Sequence, residues 1–280
     1  MLLRGRELVS ITGAGGKTSL MLALGPRLSL RYRVVLTTTT RLGEGQVPVG
    51  MKLLVGNLDE VMAELSVYLE KPGCVAVARG IEDGKLVGFT PFEVDILHES
   101  GLADVVIAEA DGSKGFPVKG YADHEPAIPS KTTCQFVVVG AELFSEPLDE
   151  KTVFRLPLFL SACGLKQGTR PGAQEIAAIL ESPRIFLKGS RGKPGMKRVL
   201  FVNKMDLLCG SDNRAIMEEA LAKLCRYDAV CSGSLGWDAN GCVGIGRRSF
   251  PANGAAEDAV ALCEGDCPFD CHRLRPEGAV

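Results

Sequence analysis

Three groups of residues in this sequence have types and spacings that can do chemistry. The first is Gly13-Ala14-Gly15-Gly16-Lys17-Thr18-Ser19, a turn almost without side chains followed by an ammonium group and two hydroxyls. Glycines let backbone N–H groups approach an oxyanion closely, and a helix opening at Lys17 would add its unpaired N–H groups and its positive end. Lys17 would lie along the outer phosphates of a nucleotide, and the Thr18 hydroxyl would hold Mg²⁺. The second group is Glu109-Ala110-Asp111-Gly112, which closes the apolar run Ala103–Ala108. A carboxylate at the tip of a hydrophobic strand is placed to hold Mg²⁺ or orient a water, and either Glu109 or Asp111 could take that role. The third is Asn203-Lys204-Met205-Asp206, directly after the apolar stretch Arg198–Val202. An Asp206 carboxylate can accept from the N1–H and 2-amino groups of guanine, donors that adenine does not present there. Asn203 would meet the base edge and brace the glycine loop, and the Lys204 stem would cover the base face.

Further candidates flank these. Thr37-Thr38-Thr39-Thr40-Arg41 ends an apolar run, so a hydroxyl such as that of Thr38 or Thr39 could join the metal or phosphate shell, and Arg41 could reach a phosphate. The stretch Ser113–Pro129 is irregular and carries Lys114, Lys119, Asp123, His124 and Glu125. Its lysines could bind a phosphate or an anionic substrate, and His124-Glu125 could act as an acid–base pair or a metal contact. A second glycine- and lysine-rich patch, Lys188–Gly195, lacks the G-K-[ST] step that opens a helix and reads as a surface loop.

These groups need a scaffold that delivers strand ends to one edge. Leu8, Val9 and Ile11 predict a short buried strand, and Leu20, Met21, Leu22 and Leu24 a helix after the glycine turn. Apolar runs at Tyr32–Thr38, Met51–Val55, Gly73–Ala78, Ala103–Ala108, Gln135–Gly140, Arg198–Val202 and Asp228–Cys231 predict further strands, the last ending in a Ser232-Gly233 turn. Helical spacing is read at Leu58–Glu70, Phe154–Leu165, Gly172–Leu180 and Asn213–Leu224. Ile81–Phe89 reads as a hairpin turned at Asp83-Gly84, and Thr90-Pro91 as the cap of a helix reaching about Glu99. The expected fold is α/β: a P-loop NTPase-like, mostly parallel sheet with helices on both faces and the site at the carboxyl ends of the strands.

The 280 residues carry 46% hydrophobic and 24% charged side chains with a net charge of −2. That composition is globular and shows no electrostatic footprint for nucleic acid or a membrane surface. No apolar run approaches a membrane span, and the amino end enters the first strand without a signal core, so a cytoplasmic protein is expected. Residues 1–235 are read as the nucleotide-binding domain and 236–280 as a C-terminal extension, partly packed near Cys242–Ile245 and partly loose. Of the ten cysteines, Cys74, Cys134, Cys209, Cys225 and Cys231 are read as small buried hydrophobes; Cys263, Cys267, Cys271 and His272 cluster without a familiar metal-ligand spacing.

The glycine loop departs from G-x-x-x-x-G-K-[ST], because the first glycine position falls on Ile11; Gly13-x-x-Gly16-Lys17-Thr18 resembles the loop of the Mur ligases instead. Glu109-x-x-Gly112 resembles the E-x-x-G element of metallochaperone GTPases. The full set, Ile11–Thr18, the threonine run to Arg41, Glu109–Gly115, Lys119 and His124-Glu-Pro-Ala-Ile-Pro, occurs in one order and is similar to the YqeC-type family over roughly Leu8 to Ser234. That family groups accessory proteins of selenium-dependent molybdenum hydroxylases. The residues point to Mg²⁺-dependent binding and slow hydrolysis of ATP or GTP. The resemblance implies a phosphate-loop protein acting in maturation of a selenium-dependent molybdenum hydroxylase or its cofactor, with a molybdenum cofactor or selenium species and the target hydroxylase as partners. Two other readings stay open from the residues: an ATP-dependent ligase or kinase acting on a small anion held by Lys114, Lys119 and His124, and a nucleotide-switched cofactor chaperone without turnover.

Overall fold

The structure, a computed structural model, describes residues 6–190, 195–238 and 241–250. From the amino end the chain runs β1 (Glu7–Gly13), α1 (Lys17–Leu28), β2 (Arg33–Thr38), β3 (Arg41–Gly43), β4 (Lys52–Val55), α2 (Leu58–Tyr68), β5 (Gly73–Ala78), β6 (Gly80–Glu82), β7 (Lys85–Val87), α3 (Pro91–Glu99) and β8 (Val105–Glu109). It continues through β9 (Val118–Lys119), β10 (Cys134–Gly140), β11 (Val153–Phe154), α4 (Leu156–Cys163), α5 (Ala173–Leu180), β12 (Lys197–Asn203), α6 (Ser211–Ala222), β13 (Ala229–Asp238) and β14 (Gly241–Phe250).

Nine strands form the main sheet in the order β14-β13-β12-β10-β1-β8-β2-β5-β4, parallel except for β14 against β13. The chain winds one way from β1 to β4 and the other way from β10 to β13, so direction reverses between β1 and β10, where ligands collect in open α/β sheets. Strand parity divides the core. Val9, Ile11, Val105, Ile107, Phe136 and Val138 face α1, with Leu20, Met21 and Leu24. Leu8, Val35, Val106 and Ala108 face α2 and α3, while Val137, Val139, Leu200 and Val202 continue that face under α5 and α6. Helices therefore cover both sides, which is why β8 and β10 read as almost unbroken apolar runs.

Local signals hold where side chains act on their own backbone. Thr90 and Glu93 form a capping box on α3 with Pro91 behind the cap. Asp83 and Gly84 turn the β6–β7 hairpin at φ 50° and 69°. Three expectations are corrected. β13 does not end at Ser232-Gly233 but runs on to Asp238, crossing residue 235, because β14 pairs along it. Cys209 and Cys225 are exposed rather than buried, since each lies in a connection beyond a helix or strand end. The second glycine-rich patch is anchored at its start: Ser190 is buried and donates to Gln135 Oε1 at 2.6 Å, and Lys188 Nζ donates to Ala122 O. Residues 191–194, and Cys263, Cys267, Cys271 and His272, lie outside the described residues.

The irregular stretch after β8 is strapped across the carboxyl edge of the sheet. Ala127 N donates to Ala110 O at 2.8 Å and Thr39 Oγ1 to Ala127 O at 2.8 Å. Its far end is held by Asp95, a buried carboxylate that accepts from Ser130 N at 2.9 Å, Ser130 Oγ at 2.7 Å and Lys131 N at 2.8 Å. Truncating Asp95 leaves those donors without a charged acceptor. Asp95→Ala is expected to lower unfolding free energy by about 2–3 kcal/mol in urea denaturation; a loss below about 0.5 kcal/mol would show the anchor to be dispensable.

Candidate functional site

The glycine loop is shaped by what it touches. Gly13 sits at φ +100°, and a Cβ there would lie 2.1 Å from Val138 O. Gly16 sits at φ +123°, and a Cβ would meet Asn203 Nδ2 at 2.2 Å. Any larger residue would lose both the backbone conformation and the contact. The Ala14 and Gly15 amides donate to Val138 O and Phe116 O, both at 2.9 Å. Gly16 opens α1 with no capping side chain, so the helix presents an uncapped positive end.

Lys17 turns back beneath this loop. Its side chain is 2% exposed. Nζ donates to Gly13 O at 3.0 Å and Ser113 Oγ at 2.9 Å, and lies 3.2 Å from Asp111 Oδ1 and 3.5 Å from Glu109 Oε1. Burial pulls its pKa down, but Asp111 and Glu109 outweigh burial and leave it raised. The two carboxylates divide the work. Glu109 pairs in register with Ile11 and Thr38, so it points to the α1 side of the sheet, where Oε2 accepts from Thr18 Oγ1 at 2.7 Å. Burial raises the Glu109 pKa, with Lys17 opposing. Asp111 is fully buried; Oδ2 accepts from Gly13 N at 2.9 Å, and Oδ1 has no hydrogen bond among the described residues.

Beyond Asp111 the charges continue inward. Lys119 is wholly buried, with Nζ donating to Gly112 O at 2.7 Å and Glu125 Oε2 at 3.0 Å, 3.6 Å from Asp111 and over the Tyr121 ring. Burial lowers the Lys119 pKa against the pull of Asp111 and Glu125. Glu125 also pairs with Arg155 at the start of α4. Burial would raise the Glu125 pKa, but Lys119 and Arg155 carry it below the usual carboxylate value.

The third group meets the loop from the other side. Asn203 Nδ2 donates to Gly15 O at 2.7 Å, and its Oδ1 accepts from Leu235 N at 2.9 Å. Lys204, at φ 63°, pairs with Glu142 at 2.7 Å. Asp206 is exposed; its backbone N–H is held by Ser234 Oγ at 2.9 Å.

The structure therefore brings Gly13, Ala14, Gly15, Gly16, Lys17, Thr18, Glu109, Asp111 and Asn203 together, with Ser19 one residue further along α1. Other candidates are engaged differently. The Thr38 hydroxyl donates to Glu109 O at 2.9 Å, tying β2 to β8, and the Thr39 hydroxyl to Ala127 O, tying the end of β2 to the strap. Arg41 pairs with Glu82 on the exposed β3–β7–β6 sheet. Lys114 is exposed over the Phe154 ring, and His124 is exposed while Glu125 turns inward. Sequence reasoning passed over Ser113, Tyr121, Glu142 and Arg155. Ser113 was signalled by adjacency to Gly112; Arg155, thirty positions from Glu125 in contact separation, had no local signal.

Among the described residues no helix is long and apolar enough to cross a membrane. Nor is there a preformed cluster of three or more acidic, histidine or cysteine ligands. The fold and site define an α/β protein of P-loop NTPase-like arrangement, with the glycine loop at the carboxyl end of its central parallel strand. The chain belongs to the YqeC family: the family model described as YqeC protein matches residues 9–157. A protein of Escherichia coli (strain K12) described as "Uncharacterized protein YqeC" is 29% identical over 221 residues, covering 79% of this chain and 83% of that one. No solved structure matches the chain.

Glu125 offers a pH test of the buried network. Its folded pKa lies below the unfolded 4.5, so it contributes stability that is complete above pH 4.5 and is lost as pH falls through the folded value. Glu109 has the opposite sign, because its folded pKa lies above 4.5 and proton uptake there favours the fold. Glu125→Gln is therefore expected to flatten the loss of stability below pH 4.5 in a series of urea titrations. An acid limb as steep as that of the parent chain would refute the assignment.

Proposed function

We propose that this protein binds a purine nucleoside triphosphate with Mg²⁺ at the β1–α1 loop and hydrolyses it, with guanine as the preferred base. One observation carries the reading. A buried ammonium and a threonine hydroxyl, at the first two positions of an uncapped helix, converge on a carboxylate at the tip of the neighbouring strand. An ammonium and a helix amino end are the donors a phosphate chain needs.

The oxygens present suit the ion. Mg²⁺ takes one or two protein oxygens and completes its shell with water and phosphate, so Thr18 and Glu109 are a sufficient protein share. The Mg²⁺ ion, when bound, would neutralise the charge that develops on the phosphate oxygens. Glu109 is the residue for the metal side; Asp111, fully buried on Gly13 N, holds the loop in shape. Asn203, at the end of the strand that leads into the exposed Asp206, supports the base reading by joining Gly15 to Leu235. Asp206 accepting from guanine N1–H and the 2-amino group would reward guanine, whereas adenine would leave it unpaired. The biological setting we carry forward is the one the family resemblance implies, maturation of a selenium-dependent molybdenum hydroxylase.

Lys17→Ala is expected to reduce Mg·GTP affinity at least roughly 100-fold in calorimetry, through loss of a charge-assisted phosphate contact. Undiminished binding would remove the nucleotide reading. Asp206→Asn is expected to cost GTP roughly tenfold or more and ATP little, and to improve xanthosine triphosphate, whose 2-oxo group accepts where guanine donates. Equal losses for GTP and ATP would remove the base preference alone.

A further inference from the structure

Under the loop, three carboxylates face three cations: Glu109, Asp111 and Glu125 against Lys17, Lys119 and Arg155. The set is neutral, and all but the half-buried Arg155 are buried. Asp111 has supports besides Lys17, namely the Gly13 amide at 2.9 Å and Lys119 Nζ at 3.6 Å. Glu109 is placed differently. Apart from Lys17, the described side chain that contacts its carboxylate is the neutral Thr18 hydroxyl.

We propose that the ligand of this site is the metal–triphosphate complex taken as a unit, with the Lys17–Glu109 contact as the gate that rejects either component alone. The proposal rests on the nucleotide reading given above. A metal-free triphosphate can recruit the Lys17 ammonium only by drawing it off the carboxylates. Asp111 keeps Lys119, but the Glu109 charge then stands uncompensated against the incoming phosphate oxygens. A divalent cation alone meets an ammonium already seated on Glu109. When both arrive, Lys17 would turn to the phosphates and Glu109 would hold the metal, so each charge would stay covered. Binding of the two components is therefore positively coupled, and the coupling resides in the Glu109 charge.

The test is a calorimetric titration of the full chain with GTP, in excess Mg²⁺ and in chelator, for the parent protein and Glu109→Gln. Glutamine keeps an acceptor for Thr18 and removes the charge. In the parent chain Mg²⁺ is expected to tighten GTP binding roughly 5–150-fold, the range of an ordinary coupling free energy. In Glu109→Gln the metal-free affinity is expected to rise above that of the parent and the dependence on Mg²⁺ to collapse. Metal-free GTP binding the parent chain as tightly as the complex would overturn the gate and leave the phosphate loop standing. A metal-free affinity that falls in Glu109→Gln would also overturn it, since Glu109 would then be serving the loop's shape. Should the variant fail to fold by circular dichroism, the parent chain decides the matter with Mn²⁺ alone: a paramagnetic resonance signal that stays free without nucleotide supports the gate, and tight binding overturns it. Absence of any GTP binding, with or without Mg²⁺, would sink the nucleotide reading itself.

Discussion

The ammonium of Lys17, buried between Glu109 and Asp111, is the interaction on which the rest of the site depends. It joins the first turn of α1 to the end of β8 and, through Gly13 O, to the end of β1. An isolated charge this far from water is prohibitive, and removing one member of a buried pair typically costs about 3–5 kcal/mol because its partner is left uncompensated. The three elements, already joined by strand pairing and an apolar core, can close over these groups only with the charges paired. The same arrangement does little for net stability, since desolvating both partners offsets most of their attraction. Burial and pairing pull oppositely on each group, which is how Lys17 ends with a raised pKa while Glu109, with a weaker share of the cation, is raised as well. A pair placed this way exchanges partners without leaving a charge uncovered only when charges of both signs arrive together.

The glycine loop carries that balance outward. Because Gly13 and Gly16 lack a Cβ, the loop lies directly on Val138 of β10 and on the Asn203 carboxamide at the end of β12. Asn203 then reaches Leu235 of β13. Four neighbouring strands thus meet around one turn, through the loop backbone and the Asn203 carboxamide. A phosphate at α1 and a base near Asp206 would be read by parts of the chain already in contact, without a domain movement between them.

How much of this was legible depended on whether the signal was local. The strand–glycine–helix succession from Leu8 to Leu24, the Thr90 cap and the Asp83-Gly84 turn are written within a few residues, and the structure follows them. The choice between Glu109 and Asp111 was not legible. It is set by strand parity and by which neighbour each carboxylate meets, and both depend on the register of β8 against β1 and β2. The threonine run is ambiguous for a related reason: a hydroxyl at a strand end serves a backbone carbonyl as readily as a ligand, and here Thr38 donates to Glu109 O and Thr39 to Ala127 O. The extension of β13 past Gly233 depends on pairing with β14, which glycine-rich sequence does not announce.

Lys119 is the instructive case among the charged candidates. A lysine in an irregular segment beside a phosphate loop suggests an anion contact, yet its ammonium is held by Gly112 O and Glu125 with no exposed surface. What forces it inward is the strap. Ala127 N on Ala110 O draws the segment back across the sheet edge, and Val118 pairs with Val153 on the far side, so Lys119 must point into the space between. Once there it needs a counter-charge, and Glu125, turned in with it, supplies one while Arg155 balances Glu125. The outer charges of the strap, Lys114 and His124, are thereby left on the exposed side. A segment that looks like one cluster of chemical groups is in fact two: an inner set, in which Lys119 faces Asp111 and is balanced by Glu125, and an exposed outer set with Lys114 over the Phe154 ring.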